Sequence, residues 1–125
     1  MSERLPILRI GENLLVSIQA DLDDQTVLNL QDDLAEQVVE HGARGVVIDI
    51  TAAEIVDSFV GRMLATIASI SRLLDAETVV VGMRPAVAIT LVELGLSLGG
   101  VRTALNLEQG LAILAERSSA RKAGR

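Results

Sequence analysis

Apolar residues recur along the chain in two rhythms, and the changes between them mark the elements. Leu5 to Ile10 and Leu14 to Gln19 are short apolar-rich runs of strand length, and Gly11-Glu12-Asn13 between them has turn composition. That spacing predicts a hairpin, with the first two strands antiparallel. Three acids, Asp21, Asp23 and Asp24, precede Val27, Leu30, Leu34 and Val38, which repeat at helical spacing. Asp23 or Asp24 suits the N-cap, where a carboxylate accepts from free amides and complements the helix dipole. Gly42 suits the C-terminal stop.

The run Gly45 to Ile50 is almost continuously β-branched, the pattern of a central strand buried on both faces. A loop follows, ending in Asp57-Ser58. Beyond it Val60, Leu64, Ile67, Ser71 and Leu74 mark one face of a helix, widened by Met63 and Ile70. Thr78 to Val81 is a fourth strand. Pro85 opens a short helix containing Val87, Ile89, Leu91, Val92 and Leu94, with Gly95 at its end. Val101 to Ala104 reads as a short fifth strand or an irregular connection. Asn106 caps a last helix, with Gln109 in capping-box position and Leu107, Leu111 and Leu114 facing inward. The order β-β-α-β-α-β-α-(β)-α contains successive strand–helix–strand units, which right-handed crossovers turn into a parallel sheet. The expected fold is therefore α/β, with a mixed, mainly parallel sheet of four to five strands and about four helices.

Composition narrows this picture. The 125 residues form one domain, half of them are apolar, and the only aromatic is Phe59, so the core is built from Val, Ile, Leu and Ala. The absence of cysteine excludes disulfides, thiolate metal sites and cysteine catalysis. No apolar run reaches the ~20 residues of a membrane span. Met-Ser-Glu-Arg-Leu-Pro does not resemble a signal peptide, and a cytoplasmic location is expected. The net charge of −6 is uneven, because Arg117, Arg121, Lys122 and Arg125 follow the last acid. The rest is more acidic still and is repelled by nucleic acid. Residues 1–116 are expected to be the folded domain, and residues 117–125 a basic, disordered tail.

Catalytic patterns are sparse. His41, the single histidine, falls at a helix C-terminus, where it serves the dipole. Gly95, Gly99 and Gly100 lack dinucleotide-loop spacing, and the only lysine, Lys122, belongs to no phosphate-binding motif. Asp21, Asp23 and Asp24 do not follow the EF-hand pattern. Asp49 ends the third strand as a phosphoaspartate receiver's acceptor does. However, the first strand ends in Ile10-Gly11-Glu12 without a magnesium-holding acidic pair, and the domain has no lysine. Ser58 is left. On residue chemistry alone it reads first as a helix cap, although Asp57 would cap equally well and neither has Glu or Gln three positions on. A phosphate at Ser58 would be well received by helix N-terminal amides.

The chain resembles the STAS domains of bacterial anti-sigma-factor antagonists over nearly its whole length. The resemblance rests on Leu22-Asp-Asp-Gln-Thr26, Gly45-Val-Val-Ile-Asp-Ile-Thr51, Val56-Asp-Ser58 and Gly82-Met-Arg-Pro-Ala-Val87. Many members carry Asp-Ser-Ser-Gly at the site. Here Asp57-Ser58-Phe59, together with Leu14 to Gln19 and Leu105-Asn-Leu-Glu-Gln-Gly110, is similar to the stressosome (RsbS-type) branch. The resemblance implies a non-enzymatic scaffold and phospho-switch without cofactor or metal. It would assemble, with dimeric contacts, alongside a paralogous sensor co-antagonist (RsbR-like) in a large particle. It would hold a serine/threonine switch kinase (RsbT-like), release it on phosphorylation, and be reset by a phosphatase. The resemblance places Ser58 at the phosphoacceptor position and Asp23 at a partner-contact position. Asp57, Phe59, Gly61 and Arg62 are expected to face the kinase, with Phe59 acting as either a core plug or an interface anchor. At 125 residues a single domain without a sensory partner domain is expected. Competing expectations are a one-to-one antagonist of an anti-sigma kinase and a small-ligand-binding STAS module; an enzyme is disfavoured for want of an acid–base or nucleophile pair.

Overall fold

The strand Gly45–Asp49 anchors the fold, and its sequence explains why. The computed structural model describes residues 5–19, 22–53, 58–95 and 101–123, the last six by backbone alone. The elements run β1 (Ile7–Ile10), β2 (Asn13–Ser17), α1 (Asp24–His41), β3 (Gly45–Asp49), α2 (Ser58–Leu73), β4 (Glu77–Val81), α3 (Pro85–Glu93), β5 (Val101–Ala104) and α4 (Leu107–Ala123). They form a five-stranded sheet in the order β1-β2-β3-β4-β5. The hairpin partner β1 is antiparallel to β2, with Ile7 opposite Val16 and Ile10 opposite Asn13. The other neighbours are parallel, in a register that aligns Leu14, Val46, Thr78 and Val101. Central β3 buries Val46, Val47 and Ile48 completely, as its β-branched run requires.

Because strands are added in one direction from β2 to β5, right-handed crossovers put α1, α2 and α3 on the same face. Alternate residues of the sheet meet them there: Leu14, Val16, Val46, Ile48 and Val80 pack with Leu30, Leu34, Leu64, Ile67, Val87 and Leu91. Fully burying a side chain such as Leu30 or Leu64 contributes about 1.5–3 kcal/mol. The intervening residues Val47, Val79 and Val81 face the opposite side, where α4 covers them with Leu114, Leu107 and Leu111. Gly110 lets α4 approach closely, since a Cβ there would lie 2.8 Å from Val81 Cγ1.

The helix ends follow local chemistry. Asp23 is the N-cap of α1, and Leu22 and Val27, which flank it in staple positions, both join the core. Gly42 terminates α1 at φ 60°, its amide and that of Ala43 returning to the Val38 carbonyl. At α4 the Gln109 amide donates to Asn106 Oδ1 at 2.9 Å. The Gln109 side chain reaches back to the Leu105 amide at 3.2 Å, one residue earlier than in the usual capping box.

One open reading is settled, one expectation changes and one helix gains detail. Val101 to Ala104 is a strand, paired through its length with β4. Helix α4 continues to Ala123, so residues 117–123 carry helical backbone where the sequence predicts a disordered tail. No glycine or proline interrupts that stretch, and cations near a helix C-terminus complement its dipole. In α3 only Val87 and Leu91 are buried, while Ile89 and Val92 are exposed. A nine-residue helix on a sheet buries one stripe, whatever the hydropathy of its other side.

Candidate functional site

The parallel strands β2 to β5 all point their C-terminal ends to one edge of the sheet, and the four helices begin there. That topology gathers Asp23, Ser58, Arg84 and Asn106, each at a helix start, although they are far apart in sequence.

The loop leaving β3 towards Ser58 is held at its origin from two sides. The Thr51 amide donates to Asp49 Oδ1 at 2.8 Å, and the Ala53 amide donates to the Ile50 carbonyl at 3.0 Å, closing a turn that buries Ala53. From the start of α3, Arg84 Nη2 donates to the Thr51 carbonyl at 3.0 Å. Gly82 at φ 78° sits directly against Thr51. A Cβ on it would overlap Thr51 Oγ1 and lie 3.0 Å from Thr51 Cα. Thus Gly82-Met83-Arg84 forms the support for this loop. Asp49 serves here as a turn acceptor, a structural role for the carboxylate that the sequence excludes as a receiver site.

Ser58 is the first helical residue of α2 and is half-buried. Its hydroxyl accepts from Arg62 Nη2 at 3.0 Å, and Arg62 Nε donates to the Ser58 carbonyl at 3.3 Å. The i,i+4 spacing of a helix places the two side chains on one surface. Because a guanidinium only donates, this pair cannot turn the hydroxyl into a nucleophile as a serine–histidine pair does.

The other expected residues separate. Phe59 is half-buried against the core and also lines a groove of about 490 Å³ between α1 and α2. It is plug and groove wall at once. Arg62 is exposed on the rim of the same groove, opposite Asp24, with Val27, Leu28 and Met63 as apolar lining. Gly61 is buried, so it offers no surface to a partner; it faces inward on α2 beside Met63 and Leu64. Asp57 lies outside the described residues. Asp23 is exposed, and its Oδ1 accepts from the Thr26 amide at 2.7 Å. That hydrogen bond holds its carboxyl below the ordinary value of 3.8. Sequence reasoning assigned no role to Leu28 and Gln31 on the groove or to Arg84 under the loop, although Arg84 lies in the Gly82-to-Val87 segment and Leu28 is a leucine off the buried stripe of α1. Among the described residues no group of three or more His, Cys, Asp or Glu is placed to hold a metal ion. Nor is any helix among them long and apolar enough to cross a membrane.

Comparison with known proteins identifies the family. The STAS domain model matches residues 4–109. RsbS S58E from Moorella thermoacetica superposes with a TM-score of 0.82 at 42% identity, covering 94% of this chain and 99% of that one. A chain of the stressosome, described as a signal integration and transduction hub, gives 0.80 at 43% identity over 90% and 98% of the respective chains. The RsbT co-antagonist protein RsbRA of Bacillus subtilis is 31% identical over 107 residues, covering 85% of this chain. The match spans only 39% of RsbRA's own length. The chain belongs to the STAS-domain family and is RsbS-like.

Proposed function

We propose that the protein is a non-enzymatic scaffold and phospho-switch of a stressosome. It holds a serine/threonine kinase of the RsbT type while Ser58 is unmodified and releases it when Ser58 is phosphorylated. The observation that carries this is the position of Ser58. It is a half-buried hydroxyl at the start of α2, beside a groove with an apolar floor and charged rim. A phosphate there adds about two negative charges at the groove mouth without entering the core, so it changes what docks and leaves the fold intact. Likeness to RsbS, to a stressosome chain and to a protein named as an RsbT co-antagonist supports the same kinase and a particle shared with RsbR-like paralogues. The kinase-facing surface comprises Asp23, Phe59 and Arg62, with Asp57 adjoining in sequence. A phosphatase resets Ser58, self-association is dimeric, and the protein works in the cytoplasm. Incubation with the cognate kinase and ATP, followed by mass spectrometry, should place one phosphate on Ser58 and none on Ser58→Ala. Labelling at another residue, or undiminished labelling of Ser58→Ala, would refute the assignment.

A further inference from the structure

Arg62 does more than line the groove. Its guanidinium reaches back one helical turn and makes two contacts to a single residue, Ser58, one to the hydroxyl and one to the carbonyl. The contact to the hydroxyl uses one Nη, and guanidinium geometry favours engaging two oxygens of an oxyanion at once. Arg62 is exposed, so following a hydroxyl oxygen that has become a phosphate ester requires only a rotamer adjustment and moves no buried side chain. Nearby charges do not compete strongly for the same position: Asp24 stands across the groove on α1, and Asp57 precedes the serine in sequence. Both are acids that would repel a phosphate, which leaves Arg62 as the cation already on the oxygen.

We propose that Arg62 is the positioning residue of the Ser58 switch: it holds the hydroxyl in the unmodified protein and clamps the phosphate ester in the modified one. The modification then acts twice on the docking surface. It adds negative charge at the groove mouth, and it withdraws the guanidinium that the unmodified rim presents to an acidic group on a partner. No bond is made or broken by Arg62, which gives up one hydrogen bond to a neutral oxygen for charge-assisted bonds to an anionic one.

This proposal rests on Ser58 being the modified residue, but it is testable without any kinase. Phosphoserine is encoded at position 58 of the full chain, and the second ionisation of its phosphate is followed by 31P NMR against pH. A clamp stabilises the dianion, so the midpoint in the otherwise native chain should fall about 0.15–0.7 of a pH unit below that in the Arg62→Gln chain, the range of an exposed ion pair. Arg62→Lys, which keeps the charge, should retain a lowered midpoint. In the native background the midpoint should rise towards that of a phosphoserine peptide as salt screens the pair. Equal midpoints in native and Arg62→Gln chains, or a salt response no larger than the peptide's, would overturn the clamp. Because the phosphate is installed by translation, that failure would leave the kinase's choice of Ser58 untouched, and labelling of a different residue by the kinase would leave the clamp measurement standing.

Discussion

Replacing Gly82 by alanine tests how the loop leading to Ser58 is held. Two separate costs arise. The first is conformational: at φ 78° a residue with a Cβ sits in the left-handed region, which costs about 1 kcal/mol. The second is steric: the new methyl overlaps Thr51 Oγ1 and approaches Thr51 Cα and Cβ at 3.0 Å. The backbone atom can move only with the loop, so overpacking adds about 1–3 kcal/mol. Gly42 supplies the control, because its φ of 60° is similar and a Cβ there meets nothing within 4 Å. Gly42→Ala should therefore cost about 1 kcal/mol and Gly82→Ala about 2–4 kcal/mol. Urea unfolding followed by circular dichroism measures both, with a melting-temperature loss of about 3–5 °C per kcal/mol as a second reading. A Thr51→Ala background removes the nearest atom but leaves the 3.0 Å contacts, so it should recover about 1 kcal/mol of the Gly82→Ala cost and none of the Gly42→Ala cost. Equal costs at Gly82 and Gly42, with no coupling to Thr51, would refute the close packing of this loop on β4.

Other outcomes follow from single sites. Asp23 has its folded pKa depressed by the Thr26 amide, so its contribution is complete above the ordinary value of 3.8 and is lost as pH falls through the lower folded value. Asp23→Asn keeps a capping oxygen but should flatten that part of an acid-unfolding profile; an unchanged profile would count against the cap. Buried Thr78 has a hydroxyl with no hydrogen-bond partner among the described residues, so Thr78→Val should raise stability by up to about 1 kcal/mol in urea, whereas a clear loss would reveal a partner for that oxygen. Ser58→Asp should leave the melting temperature within a few degrees of native while weakening kinase capture in a pull-down, since the site lies at the helix start and outside the core. Unchanged capture would argue against a charge-operated switch.

Much of this was legible along the chain. The short apolar runs Leu14–Val16 and Val46–Ile48, and the helical spacing of Val27, Leu30, Leu34 and Val38, specify strands and a helix through local burial demands. Asp23, Gly42, Pro85 and Asn106 mark helix ends because capping is a short-range hydrogen-bond problem. Elsewhere local pattern was insufficient. Gly61 has no side chain to signal burial, so only its neighbours in α2 reveal that it faces inward. In α3, Ile89 and Val92 have the same hydropathy as buried Val87 and Leu91, and only the sheet decides which stripe is covered.

For the site itself, the sequence alone determined a serine opening α2 and an arginine four residues on, and family likeness pointed to the serine as the switch. The contact between them is local to α2, whereas tertiary structure decided that Phe59 is at once core and groove wall, and that Gly82 and Arg84 hold the loop from beyond the next strand. The division has one cause. Caps and periodicity are set by residues within about one helical turn, whereas the groove and the loop support join segments some thirty residues apart, brought together only when parallel strands align their C-terminal ends.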